Sequence, residues 1–375
     1  MKIVLAPDSY KGSLTAKEAC TAMAEGIRRV MPDAEIIQVP MADGGEGTVR
    51  SLVDATGGRI YEATVTNPLG DQVCASYGIL GDNETAVIEM AEASGLYVIP
   101  AARRNPLLTT TYGTGELIRD AINRGCRKFI LGIGGSATND GGAGMAQALG
   151  IRFLDEEGQE LPFGGGSLNR LCHIDMTGLD PRVKECSFTA ACDVENPLCG
   201  PEGASHVFGL QKGATPGMIA GLDQNLEHFG DILEMELGKS VKSLPGAGAA
   251  GGLGAGIVAF LNGVLMKGVD IVIKATRLEE KLHGADLVFS GEGQCDFQTQ
   301  MGKTPFGVAR AALKAGVPVV LIAGSVGQGV EALYKHGVIS VFSMVDGPMT
   351  LEAAMKNSKA LLADITERII RLRVN

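Results

Sequence analysis

The sequence predicts an α/β protein of two domains, one a doubly wound parallel sheet built from both chain termini, the other an inserted mixed α/β domain. Three observations carry this. KIVLA opens the chain as an unbroken apolar run, as in a strand buried on both faces, and a helical segment and a second strand, EIIQVP, follow it. The same rhythm returns from Asp286, where DLVFSG, PVVLIAG and ISVFSM are separated by helical segments. Between these blocks, residues 59–66, 72–80 and 85–91 alternate or run apolar across turn signals, and read as antiparallel hairpins. A chain of 375 residues has room for two cores. The expected division gives residues 1–70 with 284–375 to a Rossmann-like domain, and 71–283 to the insert.

Each element has a local cause. Thr15-Ala-Lys-Glu18 is a capping box, and Ala19, Met23, Gly26, Ile27 and Val30 follow at helical spacing. Asp43-Gly-Gly-Glu-Gly47 turns into a helix that stops at Gly57-Gly58. Asn67-Pro68-Leu69-Gly70 and Gly81-Asp82-Asn83 supply the hairpin turns. The insert continues with a helix near 114–124, a strand over 128–133, and helices near 216–237 and 250–264. A last helix is expected from about 350 to 371.

Bulk composition removes several function classes. A formal charge of -10 argues against general affinity for nucleic acid or anionic membranes, though local cations and backbone N–H groups can still hold an anionic substrate. The longest apolar candidate for a membrane span, GIVAFLNGVLMKGVDIVI, is broken by Asn262, Lys267 and Asp270. KIVLAP meets Asp8 too soon for a signal peptide, so a cytoplasmic protein is expected. None of the eight cysteines forms C-x-x-C, which points to reduced, mostly buried thiols. The five histidines are scattered, and no zinc site is expected.

Chemistry is expected beyond the carboxyl ends of the strands. After the first strand comes Pro7-Asp-Ser-Tyr-Lys-Gly-Ser13, offering Asp8, Ser9 and Lys11 in a loop that Gly12 can bend toward an anion. After the second, Asp43 and Glu46 stand among three glycines, where helix capping competes with binding a metal or hydroxyl groups. SGEGQCDFQTQMGKTP ends a buried strand in Glu292 and Asp296, and Lys303 lies just ahead of a helix that Pro305 can start. Carboxylates for Mg²⁺ beside a lysine at a helix N-terminus suit phosphoryl transfer, which spreads negative charge over oxygens. Asp193 ends the apolar strand SFTAAC, where it could act as a base or cap a turn. PGAGAAGGLGAG, with Gly248 and Gly251, bares backbone that could approach a ligand or a neighbouring helix.

GIGGSATNDGGAG poses the sharpest alternative. Gly132, Gly134 and Ala137 match the variant dinucleotide fingerprint, and Asp155 lies where a ribose-binding acid would fall. That match supports an NAD-dependent oxidoreductase acting on a small hydroxy acid. The context argues otherwise. The stretch follows predicted hairpins, Asp155-Glu156-Glu157-Gly158 resembles a hairpin turn, and Thr138, Asn139 and Asp140 crowd a loop that should be bare. A non-catalytic metabolite sensor is disfavoured too, since Lys11, Asp193, Glu292, Asp296 and Lys303 are all present.

PDSYKGSL, MADGGEGT, YGTGELI, GIGGSATNDGG, CDVENPLCGPEGA, FGLQKGA, PGAGAAGGLG and SGEGQCDFQTQMGKTP occur in that order. Together they resemble the bacterial type I glycerate kinase family (glycerate 2-kinase), from the first strand to the last helix, with Tyr10 where that family usually has Phe. The resemblance implies ATP and Mg²⁺ as cofactors and phosphorylation of D-glycerate to 2-phosphoglycerate, which carries glycerate into glycolysis. It also implies a two-domain α/β architecture with its active cleft between the domains, and only small-molecule partners. Within that frame Lys11 and Lys303 are expected to neutralise phosphoryl charge, and Glu292 and Asp296 to hold Mg²⁺ directly or through water. Asp193 is expected to orient or deprotonate the attacking hydroxyl. Backbone N–H groups at Gly134, Gly135 and Ser136 are expected to cradle phosphate or carboxylate, with Asp8, Ser9, Asp43, Thr138, Asn139, Gly248 and Gly251 completing the substrate-binding set.

Overall fold

A computed structural model describes residues 1–374. Its strands, in chain order, are β1 (Lys2–Leu5), β2 (Glu35–Gln38), β3 (Arg59–Thr66), β4 (Gln72–Ile79), β5 (Thr85–Glu89), β6 (Lys128–Gly132) and β7 (Arg152–Leu154). They continue with β8 (His173–Asp175), β9 (Ser187–Ala191), β10 (Val264–Met266), β11 (Leu287–Cys295), β12 (Val319–Val326) and β13 (Val338–Ser343). The protein is α/β, and the chain divides into two compact units.

The first unit comprises residues 1–43, 50–57 and 269–374. Its sheet is parallel throughout, in the order β13-β12-β11-β1-β2. Strands buried on both faces explain why KIVLA and DLVFSG are continuous apolar runs. Ile3, Leu5, Leu287, Phe289, Val320 and Ile322 meet the helices Ala16–Arg28 and Ser358–Val374 in one core. Val4, Val288 and Leu321, one step out of phase, are also fully buried, on the face where the helix Thr304–Lys314 packs. The capping box forms as expected, with Thr15 Oγ1 accepting from the Glu18 N–H and Glu18 accepting from the Thr15 N–H. The two helices of the first face touch at Gly26, where a Cβ would lie 2.2 Å from the Ala363 carbonyl oxygen. The terminal helical segment is two helices, Leu351–Lys356 and Ser358–Val374.

The second unit comprises residues 44–49 and 58–268. Its six-stranded sheet runs β10-β9-β6-β5-β4-β3, parallel from β10 to β5 and antiparallel from β5 to β3. Residues 85–91 are therefore not simply a hairpin arm: β5 pairs antiparallel with β4 on one side and parallel with β6 on the other. Phe153, Phe229 and Phe260 form an aromatic cluster in its core. The Asp155–Gly158 stretch is the turn after β7, as its sequence suggests.

The chain crosses between the units at 43/44, 49/50, 57/58 and 268/269; the last two are the seams that the sequence places near 70 and 284. The first seam moves because β3 pairs with β4 along its whole length, from Arg59 opposite Ile79 to Thr66 opposite Gln72. The second moves because residues 269–283 pack within the first unit: a Cβ at Gly307 would meet Val269 Cγ2 at 2.3 Å. Among the described residues, no helix is long and apolar enough to cross a membrane.

Candidate active site

In the first unit the strand order reverses between β1 and β11, since the chain proceeds from β1 to β2 in one direction and from β11 to β13 in the other. Helices therefore leave these two strands on opposite faces and open a crevice at their carboxyl ends. Pairing continues past the named strands there, with the Ala6 N–H on the Phe289 carbonyl at 2.8 Å and the Asp8 N–H on the Gly291 carbonyl at 2.9 Å. This lays the PDSYKGS loop along the end of β11. Tyr10 is buried and its hydroxyl donates to the Ile322 carbonyl at 2.6 Å, anchoring the loop between Asp8 and Lys11.

Asp8 and Glu292 sit at this crevice. Asp8 Oδ1 accepts from the Ser9 N–H at 2.6 Å, and its Oδ2 accepts from the Thr304 hydroxyl at the start of the helix Thr304–Lys314. Removal from water, and then the charge of Asp43, push the Asp8 carboxyl from 3.8 up to about 7, against the opposing hydrogen bonds. Glu292 is 9% exposed and accepts from the Thr299 hydroxyl at 2.8 Å. Burial holds it above its ordinary range, with Thr299 and Lys303 opposing and Asp43 adding to the rise. Lys303 precedes the helix, with Nζ 3.6 Å from Glu292 Oε2. Lys11 is exposed on the loop, its backbone beside Gly293. Asp296 frames the turn beyond β11, accepting from the Gln298 N–H at 2.8 Å and from Gln294 Nε2 at 3.0 Å.

The Asp8 shift fixes a pH dependence. A carboxyl whose folded pKa is raised opposes folding when ionised, so this group's penalty grows as pH rises from about 4 to about 7. Asp8→Asn keeps an oxygen for Thr304 and removes the charge. In metal-free buffer its melting temperature should exceed that of the wild type by a few degrees at pH 8, on the order of 1–3 kcal/mol. The gain should vanish near pH 4. A pH-independent difference in melting temperature would contradict the burial of this charge.

In the second unit the carboxyl ends of β5, β6, β9 and β10 present Glu89, Gly132, Asp193 and Gly268. A cavity of about 260 Å³ lies at this edge, lined by Glu46, Glu89, Tyr97, Gly134 and Gly135 among others. Glu89 accepts from the Val49 N–H at 2.9 Å, and burial raises its carboxyl above the ordinary range. The sequence reading missed Glu89; its signal is an acid closing the apolar strand TAVIE. Asp193 is exposed, and its Oδ1 accepts from the Gly268 N–H at 3.1 Å.

Gly134 and Gly135 are the exposed tip of the loop after β6, while Ser136, Thr138, Asn139 and Asp140 are buried. Asp140 holds the loop from inside, accepting from Thr111 N–H and Oγ1 at 2.8 Å each and from the Gly142 and Gly144 N–H groups. Asn139 Nδ2 donates to Ser205 Oγ at 3.0 Å. The side chains that crowded a dinucleotide loop are thus turned inward to shape it. The bare backbone of PGAGAAGGLG packs closely against other loops of the unit. A Cβ at Gly251 (φ +70°) would lie 2.0 Å from the Thr138 carbonyl oxygen, and one at Gly248 would lie 2.1 Å from that of Pro197. Gly248 and Gly251 therefore back the loops that carry Thr138 and Asp193.

The glycerate kinase family model matches residues 3–374. A glycerate kinase of Halalkalibacterium halodurans is 54% identical over 367 residues, covering 98% of this chain and 97% of that protein. The glycerate 2-kinase of Escherichia coli K12 is 53% identical over 358 residues, covering 96% and 94%. The crystal structure of a provisionally named glycerate kinase 2 from Salmonella typhimurium LT2 superposes with a TM-score of 0.92 at 50% identity, covering all of this chain and 98% of that one. Order of motifs, fold and near-complete coverage agree, and the chain belongs to the glycerate kinase family.

Proposed function

We propose that the protein transfers the γ-phosphoryl group of ATP to D-glycerate, giving 2-phosphoglycerate, and that it does so in the cytoplasm on small-molecule substrates alone. The observation that carries this reading is the grouping of Asp8, Asp43 and Glu292 around the β1/β11 switch point with Lys303 at a helix start. The bond forming joins a glycerate oxygen to phosphorus, and the bond breaking releases ADP. Lys303 and Lys11 offset the charge that spreads over the transferring oxygens. Asp193 receives the proton of the attacking hydroxyl or orients that hydroxyl.

The carboxylates also fit Mg²⁺. Burial first and then the charge of Asp43 raise Asp8, and burial with a smaller contribution from Asp43 raises Glu292; a hard cation would relieve both. Among the described residues, no group of three or more His, Cys, Asp or Glu could hold an ion unaided. That suits an ion held by one or two carboxylates and completed by phosphates and water. Glu292 would hold it, with Asp296 reaching it through water, and the ion would supply charge neutralisation at the phosphates. Since Glu46 and Glu89 line the second unit's cavity, its Gly134–Ser136 loop favours a phosphate already neutralised by a cation over a bare anion. ADP release in a coupled assay should require D-glycerate; release that is unchanged without it would contradict the reading.

A further inference from the structure

Lys212 has no assigned part in this chemistry, yet it is among the largest fully buried side chains, at 1% exposure. It ends the short turn Leu210–Lys212, and Gly213 follows in the left-handed region (φ +91°), where a Cβ would lie 2.3 Å from the Arg104 carbonyl oxygen. That fit fixes the turn and drives the lysine inward. Its Nζ donates to the Thr138 carbonyl at 2.7 Å. The same carbonyl meets the bare backbone of Gly251 on another side, and the Thr109 hydroxyl holds the preceding Ala137 carbonyl at 2.8 Å.

A buried ammonium is costly unless it is paired. The charge of Asp140 favours the ammonium, but its oxygens accept from Thr111, Gly142 and Gly144, and burial still pushes Lys212 down to about 7. Thr138 Oγ1 and Asn139 Oδ1, on the same stretch of loop, are buried without a partner. Native interiors hold few such groups. Methionine would fill the same channel but leave the Thr138 carbonyl without this donor, so what the position supplies beyond bulk is the hydrogen bond.

We infer that Lys212 is a positioning residue for the phosphoryl transfer, its Nζ donor fixing the Thr138–Asp140 backbone so that the Gly134–Ser136 tip keeps its working shape. This rests on the kinase reading above.

The test compares wild type, Lys212→Met and Lys212→Gln for melting temperature at pH 8 and for kcat and KM with D-glycerate and ATP. The expected result is a folded Lys212→Met enzyme with kcat/KM per folded enzyme reduced at least tenfold, whatever the change in melting temperature. Glutamine, a neutral donor to the Thr138 carbonyl, should recover part of the loss. Equal activity per folded enzyme in all three would overturn the inference, as would a loss confined to melting temperature. Should the methionine variant fail to fold, the glutamine variant decides; failure of both to fold makes Lys212 a structural residue and the inference wrong. A wild-type enzyme releasing no ADP with D-glycerate overturns the kinase reading and this inference together. An active wild type beside equally active variants overturns only the inference.

Discussion

Lys303→Met should lower kcat by about 10²–10³-fold, with a much smaller change in KM for ATP. In the loose transition state charge moves toward the leaving oxygen, and a cation placed to meet that redistribution contributes more there than in the ground state, so the lost interaction falls mainly on kcat. Methionine preserves the aliphatic stem at the start of the helix Thr304–Lys314, and the side chain is already one-third exposed. The fold should survive, as circular dichroism and a melting curve would show. Losing the cation also leaves Glu292 without its counter-charge, moving its carboxyl still higher. A folded Lys303→Met enzyme with kcat within about threefold of wild type, against the 10²-fold or more that such a stabiliser supplies, would remove Lys303 from the mechanism.

Asp193→Asn should lower turnover by about 10²-fold or more while nucleotide binding persists. The substitution is close to isosteric, and the amide oxygen can still accept from the Gly268 N–H that Asp193 Oδ1 accepts now. What disappears is the ability to take a proton and the charge that orients a hydroxyl. Because the residue is exposed, its replacement should leave the melting temperature nearly unchanged. Steady-state kinetics beside calorimetric titration with ADP separates the two effects. Normal turnover with normal binding would reduce Asp193 to the cap of the chain at Gly268.

The parts of this architecture written in short range were legible in the sequence. KIVLA and DLVFSG announce buried parallel strands by apolar content alone, and Thr15 with Glu18 announces a helix start through two side chains three residues apart. Glu292, Thr299 and Lys303 are similarly close in sequence, and the structure joins them. The bond from Thr304 to Asp8 spans 296 residues, and nothing local encodes it; it follows from the strand order. The domain seams were displaced for a related reason, since a strand such as β3 belongs to whichever sheet its partner occupies. Gly248 and Gly251 were ambiguous in kind: bare backbone admits a ligand or a neighbouring loop equally, and the loop packing that requires glycine at both appears only in three dimensions. Lys212 left no signal, because a lysine among FGLQKGA reads as solvated until its burial is seen.

Incubation of the purified protein with ATP, Mg²⁺ and D-glycerate, followed by phosphorus NMR of the products, tests the central claim most directly. The account predicts ADP and a new phosphomonoester resonance that coincides with authentic 2-phosphoglycerate. A resonance at the position of 3-phosphoglycerate would correct the regiochemistry, and the absence of any phosphoglycerate would contradict the assignment of phosphoryl transfer to this site.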